Sequence, residues 1–255
     1  MKDNFTNNNT SWDEVADWYD DYLLNEETYQ NKVILPNLSR LLDLKSGEKL
    51  LDPACGQGFF VREFERAGAD IWASDISSEM ISLAKEKGGK SKYFVSSADN
   101  MNFAKDNFFE KIMMVLALEN IENFAGTIFE ISKKLKKDGV WVLVINHPAF
   151  RIPKRSDWGF DEEKRIQFRR VDEYMSESKI EISLNPSRED SVRTLSFHRP
   201  LQAYFKAFEK AGFVVSRLEE WISHKKSEDG PRKDAENKSR KEFPMFMAMK
   251  LEIRK

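Results

Sequence analysis

The sequence predicts an α/β fold, with helices on both faces of a mostly parallel sheet of about seven strands. Short apolar runs at residues 112–116 and 140–145 alternate with stretches of helical periodicity, the signature of βαβ units. Glycines such as Gly68 and Gly212 stand where the helical patterns stop. The chain of 255 residues is also long enough to bury a full core.

The elements follow in order. Residues 1–10 are Asn-rich without apolar periodicity and are expected to be disordered. Ser11 with Glu14 forms a capping pair, and Val15, Trp18, Tyr19 and Tyr22 recur at helical spacing. A second helix over 29–42 places Val33, Ile34, Leu38, Leu41 and Leu42 on one face, with Pro36 marking a kink or a fresh start. Strands are predicted at 49–52, 70–74, 93–96 and 109–117, and helices at 59–67, 78–87 and 124–135. Gly139 opens the next strand. Residues 146–200 then read as irregular, charged and aromatic, too long for an ordinary connection and therefore expected to be a lid or substrate-binding insertion. A helix at 201–210 and strands from 213 and over 245–251 complete the chain, with a solvated loop and short helix between the strands. The predicted organisation is one domain over 11–255, with a helical cap at 11–45 and the insertion at 146–200.

Composition narrows the function classes. Lys and Arg number 41 against 43 Asp and Glu, which gives no general attraction to a polyanion. A single cysteine excludes an internal disulfide and fits a reducing compartment. No apolar run reaches the roughly 20 residues of a membrane span, and the N-terminus lacks a secretory pattern. A soluble, cytoplasmic protein is expected. The sequence is silent on its oligomeric state.

In an open parallel sheet, ligands bind beyond the carboxyl ends of the strands, so the loop DPACGQG after the first strand should carry chemistry. Ala54, Gly56 and Gly58 let backbone approach a ligand closely, and the next helix directs its first amides at an anion. A dinucleotide fingerprint requires a third small residue where Val61 stands, which favours a smaller anion than a pyrophosphate. Asp75 ends the second strand, where a carboxylate accepts hydrogen bonds from a ribose diol, although it could equally cap the following helix. Asp99, beside Asn100, follows the third strand and suits an adenine amino group.

With these residues the chain resembles the class I S-adenosylmethionine-dependent methyltransferases, of the broad group containing small-molecule and quinone-pathway enzymes. The acid-and-glycine motif of that family corresponds to DPACGQG with Ala54 at its first glycine, its ribose acid to Asp75 and its adenine-side acid to Asp99. The segment LALENI at 116–121 resembles the motif flanking the sulfonium, KKDG at 136–139 the turn before strand five, and AGF at 211–213 the turn before strand six. The resemblance covers residues 11–145 and 200–255. It implies a Rossmann-like sheet with a reversed C-terminal hairpin, S-adenosylmethionine as cofactor, and an N-terminal helix folding over the cofactor mouth. The cofactor-binding set it implies is Tyr19, Asp52, Ala54, Gly56, Gly58, Asp75, Ile76, Asp99, Asn100 and Leu116.

The candidate catalytic residues are His147, just past the fifth strand, and His198, which closes the insertion; an imidazole titrates near operating pH and can serve as a general base. His224 reads as solvated, and the three histidines are too scattered for a metal site. Cys55 reads as a small packed residue. The insertion mixes basic and aromatic residues, a combination that can bind nucleic acid, but six acids in the same stretch argue for local ion pairing and a small-molecule lid. Methyl transfer to a small molecule by in-line displacement is the first reading. Methylation of RNA or protein, and an inactive adenosylmethionine-binding module, are the alternatives.

Overall fold

The computed structural model describes residues 26–183 and 193–254. The expected disordered tip, the helix from Ser11 and Tyr19 lie outside these residues. A π-helical turn, Gln30–Ile34, runs directly into α1, Leu35–Leu42. Pro36 falls in the first turn of α1, where the helix passes without a break from π to α geometry, so it marks a change of pitch and not a fresh start. Then come β1 (Lys49–Asp52), α2 (Phe59–Arg66), β2 (Asp70–Asp75), α3 (Ser78–Glu86), β3 (Lys92–Val95), β4 (Phe109–Val115), α4 (Phe124–Lys134) and β5 (Leu135–Asn146). Four shorter strands follow: β6 (Ser156–Asp161), β7 (Ile166–Val171), β8 (Ser178–Ser183) and β9 (Arg193–His198). The chain closes with α5 (Leu201–Lys210), β10 (Phe213–Trp221), α6 (Lys233–Glu242) and β11 (Phe246–Ile253).

Seven strands form one sheet in the order β10-β11-β5-β4-β1-β2-β3, with β11 antiparallel to both neighbours and the remaining pairs parallel. This is the Rossmann-like arrangement with a reversed C-terminal hairpin. The chain winds outward from β1 to β3, then restarts at β4 on the other side of β1, which opens a crevice at the carboxyl ends of β1 and β4. Along β5 the side chains alternate between two cores. Trp141, Leu143 and Ile145 pack with Ile128, Tyr204 and Phe208 from α4 and α5, whereas Val140, Val142 and Val144 pack with Leu38, Leu42 and Val61 from α1 and α2. Burial on both faces explains why this strand reads as an unbroken apolar run. Val61 is fully buried in the second core, so the position where a dinucleotide fold needs a small residue here anchors α2 to the sheet.

The insertion departs from the expectation of irregular structure. Residues 156–171 form one antiparallel hairpin, β6–β7, and β8 pairs antiparallel with β9. Trp158, Ile166 and Phe168 of the first hairpin remain exposed, so its alternation serves no core. Among the described residues, no helix is long and apolar enough to cross a membrane.

Candidate functional site

The crevice opens into a cavity of about 490 Å³, walled by the ends of four strands. β1 contributes Asp52 and its loop, β2 Asp75 and Ile76, β3 Ser97 to Asp99, and β4 the segment from Val115 to Asn123. Thr194 and Leu195 of β9 close it from the insertion.

The loop after β1 is held by its own carboxylates. Asp75 Oδ2 accepts from the Gly56 amide at 2.8 Å and Oδ1 from the Ser77 amide at 3.0 Å. The helix cap is Ser77, whose Oγ accepts from the Met80 amide at 3.0 Å, so Asp75 is free of that duty and ties two loops together instead. Gly58 turns the chain into α2 with φ 78°, where a side chain would meet the Tyr93 hydroxyl at 3.0 Å. Arg62 donates to the Gln57 side-chain oxygen at 2.7 Å, which leaves the buried Gln57 Nε2 without a partner among the described residues and on the cavity wall. Leu116 holds φ 53°, a left-handed conformation costly for a branched side chain, and sits on the cavity wall.

Asp52 is buried, and burial pushes its carboxyl up to about 8, with the nearby Asp75 charge adding to the effect and the Ala54 amide opposing it. Burial, with Asp52 and Asp75 nearby, also raises the Cys55 thiol well above its ordinary range, so it is no nucleophile. Asp99 behaves oppositely. Hydrogen bonds from Ser97 and Asn123 hold its carboxyl below the usual range and fix it ionised at the wall.

Of the residues singled out from sequence, Asp52, Ala54, Gly56, Asp75, Ile76, Asp99 and Leu116 meet in this cavity. Gly58 acts one step back through its turn. Asn100 is exposed and off the wall, its amide donating to the Ser97 carbonyl at 3.1 Å to close the loop. Neither histidine joins them. His147 is buried with Nε2 hydrogen-bonded to Glu220 at 2.7 Å and Nδ1 accepting from the Ala149 amide at 3.2 Å, so both nitrogens are occupied away from the cavity. Burial lowers its pKa despite Glu220, as befits a neutral anchor. His198 Nε2 donates to the Tyr174 carbonyl at 2.8 Å and lies on a second cavity. His224 is not simply solvated; its Nε2 donates to the Glu27 carbonyl at 3.2 Å and its ring meets Tyr29 edge-on.

The second cavity, about 320 Å³, lies beside the first: Asn120 lines both, and β9 passes from Thr194 in one to Phe197 in the other. Sequence reasoning missed Glu119, Asn120, Asn123 and Thr194, although the first two fall within the LALENI segment.

Charge separates the possible ligands of the first cavity. Its described lining residues include four acids, Asp52, Asp75, Asp99 and Glu122, and no lysine, arginine or histidine. Residues 51–143 match the profile of a family described as a methyltransferase domain. Over that segment the chain is similar to the methyltransferase family. The chain is 29% identical to a demethylmenaquinone methyltransferase of Tropheryma whipplei over 111 residues, 43% of this chain and 46% of the relative. A demethylmenaquinone methyltransferase of Paenarthrobacter aurescens is 29% identical over 144 residues, 55% of each chain. The chain thus spans about half the length of the curated relatives it matches. The fold likeness reaches further. The structure of an S-adenosylmethionine-dependent methyltransferase from Mesorhizobium loti superposes with a TM-score of 0.69 at 22% identity, over 89% of this chain and 98% of the other.

Proposed function

We propose that this protein transfers a methyl group from S-adenosylmethionine to a small-molecule acceptor. The observation that carries the reading is the surplus of carboxylates, with no lysine, arginine or histidine, among the first cavity's described lining residues. S-adenosylmethionine is a sulfonium with a ribose diol, and both features suit acids. A nicotinamide dinucleotide would set its pyrophosphate among the same carboxylates, where like charges repel in a poorly solvated site. Asp75 would accept from the ribose hydroxyls, Asp99 with Asn123 would face the adenine end, and Asp52 and Gln57 would face the methionine end. When bound, the cofactor supplies a methyl group already activated by its sulfonium.

The chain's own part is orientation and exclusion of water. Asn120 stands on both cavities, so an acceptor in the second would meet the cofactor across the turn at Leu118–Asn120. The insertion then serves as the acceptor-side wall. The relatives named demethylmenaquinone methyltransferases carry a quinone in their names, not a nucleic acid or protein, in keeping with this reading. A soluble cytoplasmic enzyme is the corresponding setting.

Titration calorimetry with S-adenosylmethionine and with a nicotinamide dinucleotide tests the reading: saturable heat is expected with the first alone, and none with it would overturn the proposal. The elevated Asp52 carboxyl adds a sharper expectation. A cation bound beside it favours the charged form, so binding at pH 7 should release up to about one proton, and affinity should rise from pH 6 toward 8 and then level. Calorimetry in buffers of different ionisation enthalpy reads that proton. Asp52→Asn should abolish its release, and an unchanged release would exclude Asp52 as its source.

A further inference from the structure

The second cavity carries the opposite charge to the first. Arg151, Lys154, Arg169 and Arg199 line it, against one acid, Glu119, among its described lining residues. The insertion's acids pair elsewhere: Glu173 with Arg155 at 3.3 Å and Asp172 with Arg170 at 2.9 Å. No carboxylate of the described residues forms an ion pair with Arg151 or Arg169.

Arg169 is nevertheless held in place. Its Nε donates to the Phe150 carbonyl at 2.8 Å, its Nη2 donates to Ser156 Oγ at 2.8 Å, and the guanidinium lies 5.0 Å from the centre of the Trp158 ring. These partners are neutral, and Asp157 attracts the guanidinium without forming an ion pair with it. Arg151 makes no side-chain hydrogen bond among the described residues and stands on the wall shared with a smaller cavity of about 180 Å³, where Arg169 also stands. Burial lowers both guanidinium pKa values, and the Arg151 charge lowers that of Arg169 further, while Glu119 partly offsets the effect at Arg151 and Asp157 at Arg169. Two like charges on one partly buried wall are unfavourable until an anion lies between them.

A second feature of the cavity lacks its complement. Glu119 is 8% exposed; its Oε1 accepts from the Asn146 amide at 3.1 Å and from Asn146 Nδ2 at 2.9 Å, while Oε2 is buried with no partner among the described residues. A buried acceptor without a donor, on the wall of a cavity, is matched by a hydroxyl or amine brought in by a ligand.

We propose that the second cavity binds an acceptor bearing an oxyanion, a carboxylate or a phosphate monoester, between Arg151 and Arg169, with a hydroxyl or amine turned toward Glu119. The word acceptor rests on the methyl-transfer reading; the binding does not. Phe197 and Tyr204 on the same wall give the ligand's body an aromatic surface to pack on.

The test uses 3-hydroxybenzoate and phenyl phosphate as anionic probes and 3-hydroxybenzamide as their neutral counterpart, titrated into the full chain by calorimetry and ligand-observed NMR, with and without S-adenosylhomocysteine. At least one anion is expected to bind about 10-fold more tightly than the amide, since charge-assisted hydrogen bonds are the stronger kind. The tighter anion identifies the oxyanion. Arg151→Gln should erase that preference without loss of folding, because the side chain makes no hydrogen bond to lose. Arg169→Lys, which keeps the charge but not the fork, should reduce it in part. Equal binding of amide and anions, no binding of either anion at millimolar concentration, or an Arg151→Gln protein that binds like the parent would overturn the proposal. If the anions bind as expected while S-adenosylhomocysteine does not, the anion site stands and the methyl-transfer reading falls.

Discussion

Replacing Asp75 by alanine is expected to weaken S-adenosylmethionine binding about 100-fold, or about 3 kcal/mol. Part of the loss is direct, since a carboxylate that accepts from ribose hydroxyls contributes charge-assisted bonds of about 1.5–3 kcal/mol each way. The remainder comes through the loop. Asp75 accepts from the amides of Gly56 and Ser77, so its removal frees the turn after β1 and the start of α3 together. A carboxylate has lone pairs enough for these amides and a ligand. Calorimetry measures the affinity, and a urea melt of the unliganded protein separates loop loosening from lost ligand contact. Asp75→Asn keeps the size but offers an amide to the Gly56 N–H in one orientation, and should fall between the two. An Asp75→Ala protein with parental affinity would remove this residue from the cofactor site.

Replacing Arg199 by alanine is expected to cost about 2–4 kcal/mol of stability, because a buried guanidinium is lost and three backbone carbonyls lose their donor at once. Arg199 is 4% exposed, yet its charge meets carbonyls: Nη2 donates to those of Ile121 at 2.8 Å and Glu122 at 3.0 Å, and Nη1 reaches that of Leu118 at 3.4 Å. Its guanidinium also lies 4.1 Å from the centre of the Phe124 ring. The side chain pins the end of β9 to the loop after β4, and that loop lines both cavities. Urea denaturation gives the loss. Arg199→Lys should recover less than half of it, since an ammonium cannot span the same carbonyls while lying flat on a ring. A loss below about 1 kcal/mol would mean that water replaces the guanidinium at those carbonyls.

The sheet was readable because its signals are local. The run in β5 is apolar on both faces, and Gly68 and Gly212 punctuate helices where the pattern changes period. Strand ends then bring the acids together by topology, which is why Asp52, Asp75 and Asp99 meet as the spacing suggested. The hairpins of the insertion were hidden for a physical reason. The β6–β7 turn places Arg165, not glycine, in the left-handed region at φ 52°, so no turn residue announces it. Its apolar residues face solvent, so alternation earns no core. Proximity to a strand end says nothing about where ring nitrogens point: His147 turns both of its own away from the cavities, whereas His198 lines the second cavity. The second cavity joins Glu119, Arg151, Arg169 and Tyr204 from widely separated segments, a grouping that only the folded chain creates.

The charged residues among the first cavity's described lining, all of them acids, have a bearing on turnover. In the proposed reaction, losing the methyl group would turn a sulfonium into a neutral thioether and reduce the attraction of the lining carboxylates, of which Glu122 already pairs with Lys179 at 3.0 Å. Ionic strength then becomes a dial with unequal purchase. Raising salt should loosen the charged cofactor and leave the spent one nearly untouched, so the ratio of their affinities narrows as the Debye length contracts from about 10 Å at 0.1 M toward about 3 Å at 1 M.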